Sequence, residues 1–207
     1  MNRPLIKICG IRDADTATFA VKSGADYVGL IFHPASPRHV NIADATKIAA
    51  AVRKAHAIPV AVFVDQDAAD MLAICEITGI QTVQLHGNTA RNDHHLLPAH
   101  YQRFYVQTEM QNLTDSLDAL NRERDFILID PPKTGTKKTI DWQTFHYSLP
   151  FRWFLAGGLT PKNVKQAIAL LKPDGVDVAS GVELSPGKKD LTLIKQFIKA
   201  AGDNHAT

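Results

Sequence analysis

Several short stretches of this chain carry residue types able to do chemistry. Cys9 is followed directly by Gly10, with Lys7 and Arg12 close by. An open, electropositive turn of that kind suits a thiolate acting as base or nucleophile. A free cysteine is equally at home as a small core residue. Asp130 follows the apolar Ile127-Leu128-Ile129. A carboxylate at the end of a buried segment is costly unless it is hydrogen-bonded or functional, which fits a catalytic acid or a cap for the next loop. A base and an acid on opposite sides of one cavity can take a proton off carbon while protonating an oxygen.

Other residues read as binding groups. Arg38 ends Phe32-His33-Pro34-Ala35-Ser36-Pro37-Arg38, a loop stiffened by two prolines. Its guanidinium suits a carboxylate, unless it is an ordinary surface arginine. His86, in Gln84-Leu85-His86-Gly87, reads as a hydrogen-bonded packing residue or a ligand contact. Small residues recur at Gly157-Gly158 and at Ser180-Gly181. Turns of this kind let backbone N–H groups approach a phosphate. Cys75 falls in an apolar helical run and reads as packing.

Apart from Cys75, these residues share one property: each lies at the end of a short apolar run or in the loop that follows it. The runs are Leu5 to Cys9, Tyr27 to Phe32, Pro59 to Val64, Thr82 to Leu85, Arg103 to Val106, Phe126 to Ile129, Trp153 to Ala156 and Val176 to Val178. Most show little polar alternation, as strands of a parallel sheet buried on both faces do. Helical patterns fall between them: Ala14 to Ser23, Ile42 to Arg53, Ala68 to Thr78, Arg91 to Leu97, Leu113 to Arg122, Trp142 to Tyr147, a start at Thr160-Pro161, and Asp190 to Ala201. Repeated β-α units of about 25 residues predict a single-domain (β/α)8 TIM barrel of α/β class spanning residues 1–207. The turn Gly10-Ile11-Arg12 lacks the GxGxxG pattern, which argues against a dinucleotide-binding open sheet. A barrel gathers the residues just past its strands at one mouth: Cys9, the Phe32–Arg38 loop, Asp65, His86, Asp130 and the two small-residue turns.

Composition narrows the partners. The formal charge is +2, which implies no nucleic-acid or membrane surface. No segment approaches 18 uninterrupted apolar residues, and Pro4 and Lys7 break the only early apolar run, so neither a membrane span nor a signal peptide is expected. Two unpaired cysteines fit a reduced, cytoplasmic setting. The histidines show no metal-ligand spacing, so neither metal nor cofactor is expected. The expected partner is a phosphorylated small molecule, bound by a monomer or a homodimer.

In order along the chain, these motifs resemble the phosphoribosylanthranilate isomerase family of tryptophan biosynthesis. The resemblance rests on Lys7-Ile8-Cys9-Gly10, Gly29-Leu30-Ile31-Phe32 with Ser36 and Arg38, Val62-Phe63-Val64, Gln84-Leu85-His86-Gly87 and Leu155-Ala156-Gly157-Gly158-Leu159 with Pro161 and Asn163. It closes on Val176 to Glu183 and Pro186 to Asp190. It implies an Amadori rearrangement with Cys9 as general base, Asp130 as general acid and Arg38 on the anthranilate carboxylate. His86 would line the substrate site, and Gly157, Gly158, Ser180 and Gly181 would bind phosphate. No metal is implied, because a protonated imine serves as the electron sink. A sister isomerase of histidine synthesis would be expected to use paired aspartates, and indole-glycerol-phosphate synthase a lysine and glutamates. A barrel that binds ligand without turnover would not need Cys9, Arg38 and Asp130 together. One stretch departs from the family. Thr134, Lys137 and Ile140 replace two glycines and a phenylalanine of its glycine-rich loop. The polar loop Pro131 to Thr139 is expected to face solvent and to act as a mobile lid pivoting at Gly135.

Overall fold

The computed structural model describes residues 3–108, 117–131 and 142–202. Eight parallel strands run in chain order: β1 (Leu5–Cys9), β2 (Tyr27–Ile31), β3 (Ile58–Phe63), β4 (Thr82–Leu85), β5 (Gln102–Gln107), β6 (Phe126–Ile129), β7 (Arg152–Leu155) and β8 (Gly175–Val178). Each pairs with the next, and β8 returns to β1 with Leu5 opposite Gly175 and Lys7 opposite Asp177. That last pairing closes the sheet into the expected barrel.

Closure splits the core in two, because successive side chains on a strand point to opposite faces. One set, including Ile6, Ile8, Val28, Leu30, Ile127 and Leu155, packs outward with the helices. The other set is a separate inner cluster of Tyr27, Val60, Phe104, Val106, Phe126, Leu128, Phe154 and Ala156, with Leu5 against it. Phe104, Phe126 and Phe154 lie 4.9–5.0 Å apart ring to ring, and Tyr27 meets Phe104 at 5.2 Å. Such pairs add about 0.5–1.5 kcal/mol each beyond burial. They plug the N-terminal end of the barrel and leave the other end for chemistry.

Helices α1 (Ala14–Lys22), α2 (Ile42–Lys54), α3 (Ala68–Thr78), α4 (Asn88–Asn92), α5 (Val164–Leu171) and α6 (Leu191–Gly202) surround it. Asp13, Asn41, Asp67 and Asp190 accept hydrogen bonds from first-turn amides of α1, α2, α3 and α6. Each such cap contributes about 1 kcal/mol. These caps sit on the loops that leave the strands, so they also hold the rim of the mouth. No helix among the described residues is long and apolar enough to cross a membrane.

The weaker helical patterns are corrected. The fourth begins at Asn88 and tightens into a 3-10 turn over Asp93–Leu96. Trp142 to Tyr147 forms a turn and irregular chain instead of a helix. Its aromatics are spent on packing: Tyr147 stacks on Trp153 at 4.8 Å and donates its hydroxyl to the Phe151 carbonyl. Leu117 to Arg122 contains turns only, and residues 113–116 of that expected helix lie outside the described residues. Thr160 does not cap the next helix directly. Asn163 Oδ1 accepts from the Thr160 amide, closing a turn over residues 161–163 before α5 starts. Of the expected lid, Pro131 alone is described; residues 132–139, with Gly135, lie outside the described residues.

Candidate active site

Cys9 is the last residue of β1, on the same face as Leu5 and Lys7, and is 4% exposed. It lies opposite Gly29 of β2. A Cβ at Gly29 would stand 2.7 Å from the Cys9 Sγ, so the missing side chain is the space the thiol occupies. Gly10 turns the chain with φ +75°, and its amide and that of Ile11 both donate to the Gly29 carbonyl. A Cβ at Gly10 would meet the Arg38 Cδ at 2.6 Å. The two glycines thus set Cys9 beside the Arg38 stem.

Below Cys9, Lys7 is fully buried and its Nζ donates to Asp177 Oδ1 at 2.9 Å. Burial alone would strip the ammonium of its proton, but the charges of Asp177 and Cys9 outweigh it and hold Lys7 above its ordinary value. Burial pushes the Cys9 thiol up as well. The Lys7 ammonium opposes that rise, Asp177 adds to it and Lys189 opposes it.

Beside Cys9, Arg38 is clasped bidentately by Glu183, with Nε and Nη2 donating to the two carboxylate oxygens at 2.8 and 2.6 Å. Lys189 Nζ donates to the same carboxylate at 2.9 Å and to the Ala179 carbonyl at 2.8 Å. Burial would raise the Glu183 carboxyl, but hydrogen bonds from Arg38 and Lys189 hold it below its ordinary value. Glu183 and Lys189 come from a hairpin, β9 (Glu183–Ser185) and β10 (Lys188–Lys189). Its Gly187 has φ +82°, and a Cβ there would strike the Pro37 carbonyl at 2.3 Å. The hairpin therefore sits directly on the proline loop that carries Arg38.

Asp130 follows β6, three strands round from β1, on the inner face. Its Oδ1 is 3.2 Å from where a Cβ at Gly157 would be. His86 follows β4; burial lowers it, so its imidazole is neutral at physiological pH, and it feels the charges of Asp177 and Lys7. Gly157 and Gly158 turn at φ +81° and +68°. A Cβ at Gly181 would stand 1.8 Å from the Leu159 carbonyl oxygen, so the turns after β7 and β8 touch. Among the described residues, no turn or loop hydrogen bond to a backbone carbonyl engages the amides of Gly157 and Gly158. Asp65 stays at the rim, where it lies 3.1 Å from His33 and away from this cluster.

A family model for N-(5'-phosphoribosyl)anthranilate (PRA) isomerase matches residues 6–200. The chain belongs to the PRA isomerase family. A relative from Chlamydia felis, named N-(5'-phosphoribosyl)anthranilate isomerase, is 39% identical over 197 residues, or 95% of this chain and 96% of its own. The crystal structure of phosphoribosyl anthranilate isomerase from Thermotoga maritima is similar with a TM-score of 0.80 and 36% identity, over 96% of this chain and 98% of that one. A further PRA isomerase structure, 33% identical with a TM-score of 0.75 over the same shares, was solved in complex with reduced 1-(o-carboxyphenylamino)-1-deoxyribulose 5-phosphate. By family this chain is an isomerase of tryptophan biosynthesis on a TIM barrel.

Sequence reasoning missed four charged residues of this PRA isomerase mouth as site members: Lys7, Asp177, Glu183 and Lys189. A signal existed for the first two. A lysine and an aspartate inside runs that are otherwise apolar are costly unless they find each other.

Proposed function

We propose that the chain converts N-(5-phosphoribosyl)anthranilate to 1-(2-carboxyphenylamino)-1-deoxyribulose 5-phosphate, with Cys9 as general base and Asp130 as general acid. The observation that carries this reading is the placement of a buried thiol and an inward carboxylate at the ends of β1 and β6, on the mouth that also holds Arg38 and both small-residue turns. Asp130 protonates the ribose ring oxygen. The C1′–O bond breaks, and the nitrogen lone pair forms a protonated imine. The Cys9 thiolate then takes the C2′ proton, and the C–H electron pair forms the C1′–C2′ double bond while the imine π pair returns to nitrogen. The resulting enolamine loses its hydroxyl proton and gains one at C1′, giving the ketone.

Each polar group has a place in this chemistry. Two of the five N–H donors of Arg38 are taken by Glu183, which leaves its Nη1 edge for the anthranilate carboxylate. The amides of Gly157, Gly158, Ser180 and Gly181 take the phosphate. His86 meets the substrate as a neutral imidazole. The complex of the relative with a phosphorylated product analogue supports a substrate with these two anionic ends. The reactive enzyme form, thiolate with carboxylic acid, is a proton tautomer of the thiol–carboxylate form. Whatever favours the thiolate therefore feeds directly into the rate.

The test is turnover followed by anthranilate fluorescence. Cys9→Ala and Asp130→Asn should each lower kcat by at least about 10²-fold, the scale of a lost general base or acid. Near-normal turnover in either folded variant would refute the assignment.

A further inference from the structure

The interior of this barrel is largely apolar and aromatic, but besides the buried polar side chains Thr82 and Gln84 of β4 it holds the ion pair of Lys7 and Asp177. Lys7 is fully buried, and Asp177 is nearly so. Burying two charges costs more than packing hydrophobic residues of similar volume in the same place. The pair is therefore not explained by stability. Its position suggests another reason. Lys7 precedes Cys9 by two residues on the same inward face of β1, and Asp177 lies opposite Lys7 in register on β8. Asp177 holds the ammonium at 2.9 Å and keeps it from leaving toward solvent.

We propose that Lys7 is a positioning residue for Cys9: its ammonium, anchored by Asp177, is a fixed cation beneath the sulfur that sustains the thiolate. The inference rests on the reading of Cys9 as the base. Charged groups reach Cys9 from several elements. Lys7 comes from β1, Asp177 from β8, Lys189 from β10 and Arg38 from the loop before α2, while His86 after β4 senses Asp177 and Lys7. Of the cations, Arg38 and Lys189 are already bonded to Glu183. Lys7 has a single carboxylate contact and exerts the largest downward pull on the thiol. Asp177 has a mixed effect, since it fixes the cation but opposes the thiolate directly.

That mixed effect gives the test its sign. The full chain is titrated by the ultraviolet absorbance of the thiolate, with a Cys9→Ser variant subtracted to remove Cys75. In Lys7→Met the Cys9 midpoint should move up by at least about one unit, and kcat/KM at neutral pH should fall about tenfold, one unit being a factor of ten in thiolate. In Asp177→Asn the midpoint should move down, because the thiolate becomes the nearest counter-ion of Lys7. A merely structural role would move neither midpoint, or both in one direction. The double variant Lys7→Met/Asp177→Asn leaves no unpaired buried charge and serves if a single variant fails to fold; it too should shift upward. An unmoved midpoint in Lys7→Met or the double variant would overturn the proposal. A shifted midpoint with unchanged turnover would instead remove Cys9 as the base, and the proposal with it.

Discussion

Gly29→Ala is the smallest change that should disable the site without replacing a reacting group. Gly29 does not have positive φ, so alanine adds no backbone strain there. The added Cβ would lie 2.7 Å from the Cys9 Sγ, 3.1 Å from its Cα and 3.2 Å from its Cβ. Ordinary carbon contacts fall at about 3.5–4.0 Å, so the thiol must give way by about 1 Å. It can turn off its rotamer, or β1 and β2 can part. Overpacking of this kind costs about 1–3 kcal/mol. At about 2–4 °C per kcal/mol for a chain of this size, the middle of that range lowers Tm by about 6 °C. The catalytic loss is larger, because a reacting atom misplaced by about 1 Å costs about 10²-fold in rate. Gly175→Ala is the control. Its Cβ would come within 2.4 Å of two ring carbons of Phe154, in the aromatic plug far from the mouth. That variant should melt at least as early yet keep kcat within about threefold of the parent when folded. Thermal melts and fluorescence-monitored turnover read both effects. If Gly29→Ala turned over like the parent, the thiol would not depend on the space beside Gly29, and this account of its placement would fail.

Three further outcomes are expected. Arg38→Ala should raise KM by about 10–150-fold, the equivalent of about 1.5–3 kcal/mol for a charge-assisted hydrogen bond, while inorganic phosphate still binds; loss of phosphate binding would put Arg38 at the wrong end of the substrate. The pH profile of kcat/KM should be bell-shaped, because the reactive form needs a thiolate and a carboxylic acid together. Above the Cys9 value the acid is already spent, and that value is raised by burial, so the alkaline limb should lie above the ordinary thiol range of about 8.5; a limb at or below it would contradict the placement. Activity should survive prolonged chelation with EDTA, since the protonated imine is its own electron sink, and a loss reversed by a divalent metal would contradict the mechanism.

Much of the barrel was legible because parallel strands buried on both faces leave short apolar runs. All eight runs became strands, with ends unchanged or shifted by one residue. The same property hid part of the site. When both faces of a strand are apolar, the sequence does not show which residues point inward. Lys7 and Asp177 therefore stood out as charges but not as partners, and their pairing depended on β1 meeting β8, the last contact made round the barrel. Cys9, Asp130, Arg38 and His86 were legible by position alone, as residues at or past strand ends. Glu183 and Lys189 were not, because the hairpin that carries them was not expected. The Pro186-Gly187 dipeptide was its turn signal. The helical patterns that shifted, near Arg91, or failed, near Trp142, are short and rich in polar or aromatic residues, and tertiary packing decided their conformation.

The charges round Cys9 explain why one sulfur can serve a substrate with two anionic ends. Lys7, Lys189 and Arg38 contribute +3, and Asp177 and Glu183 contribute −2, so the group carries +1 around a thiol and is neutral around a thiolate. Ionising Cys9 thus removes net charge from a buried region, which offsets part of the desolvation that holds the thiol up. The remaining push comes from the reaction itself. Once Asp130 has opened the ring, the substrate carries a cationic imine next to the proton to be removed. That charge arises only after binding and favours the thiolate at the step that needs it. A thiol kept protonated in the resting barrel and ionised by its own substrate is therefore consistent with both the burial and the chemistry, and it spares the free enzyme an oxidisable thiolate.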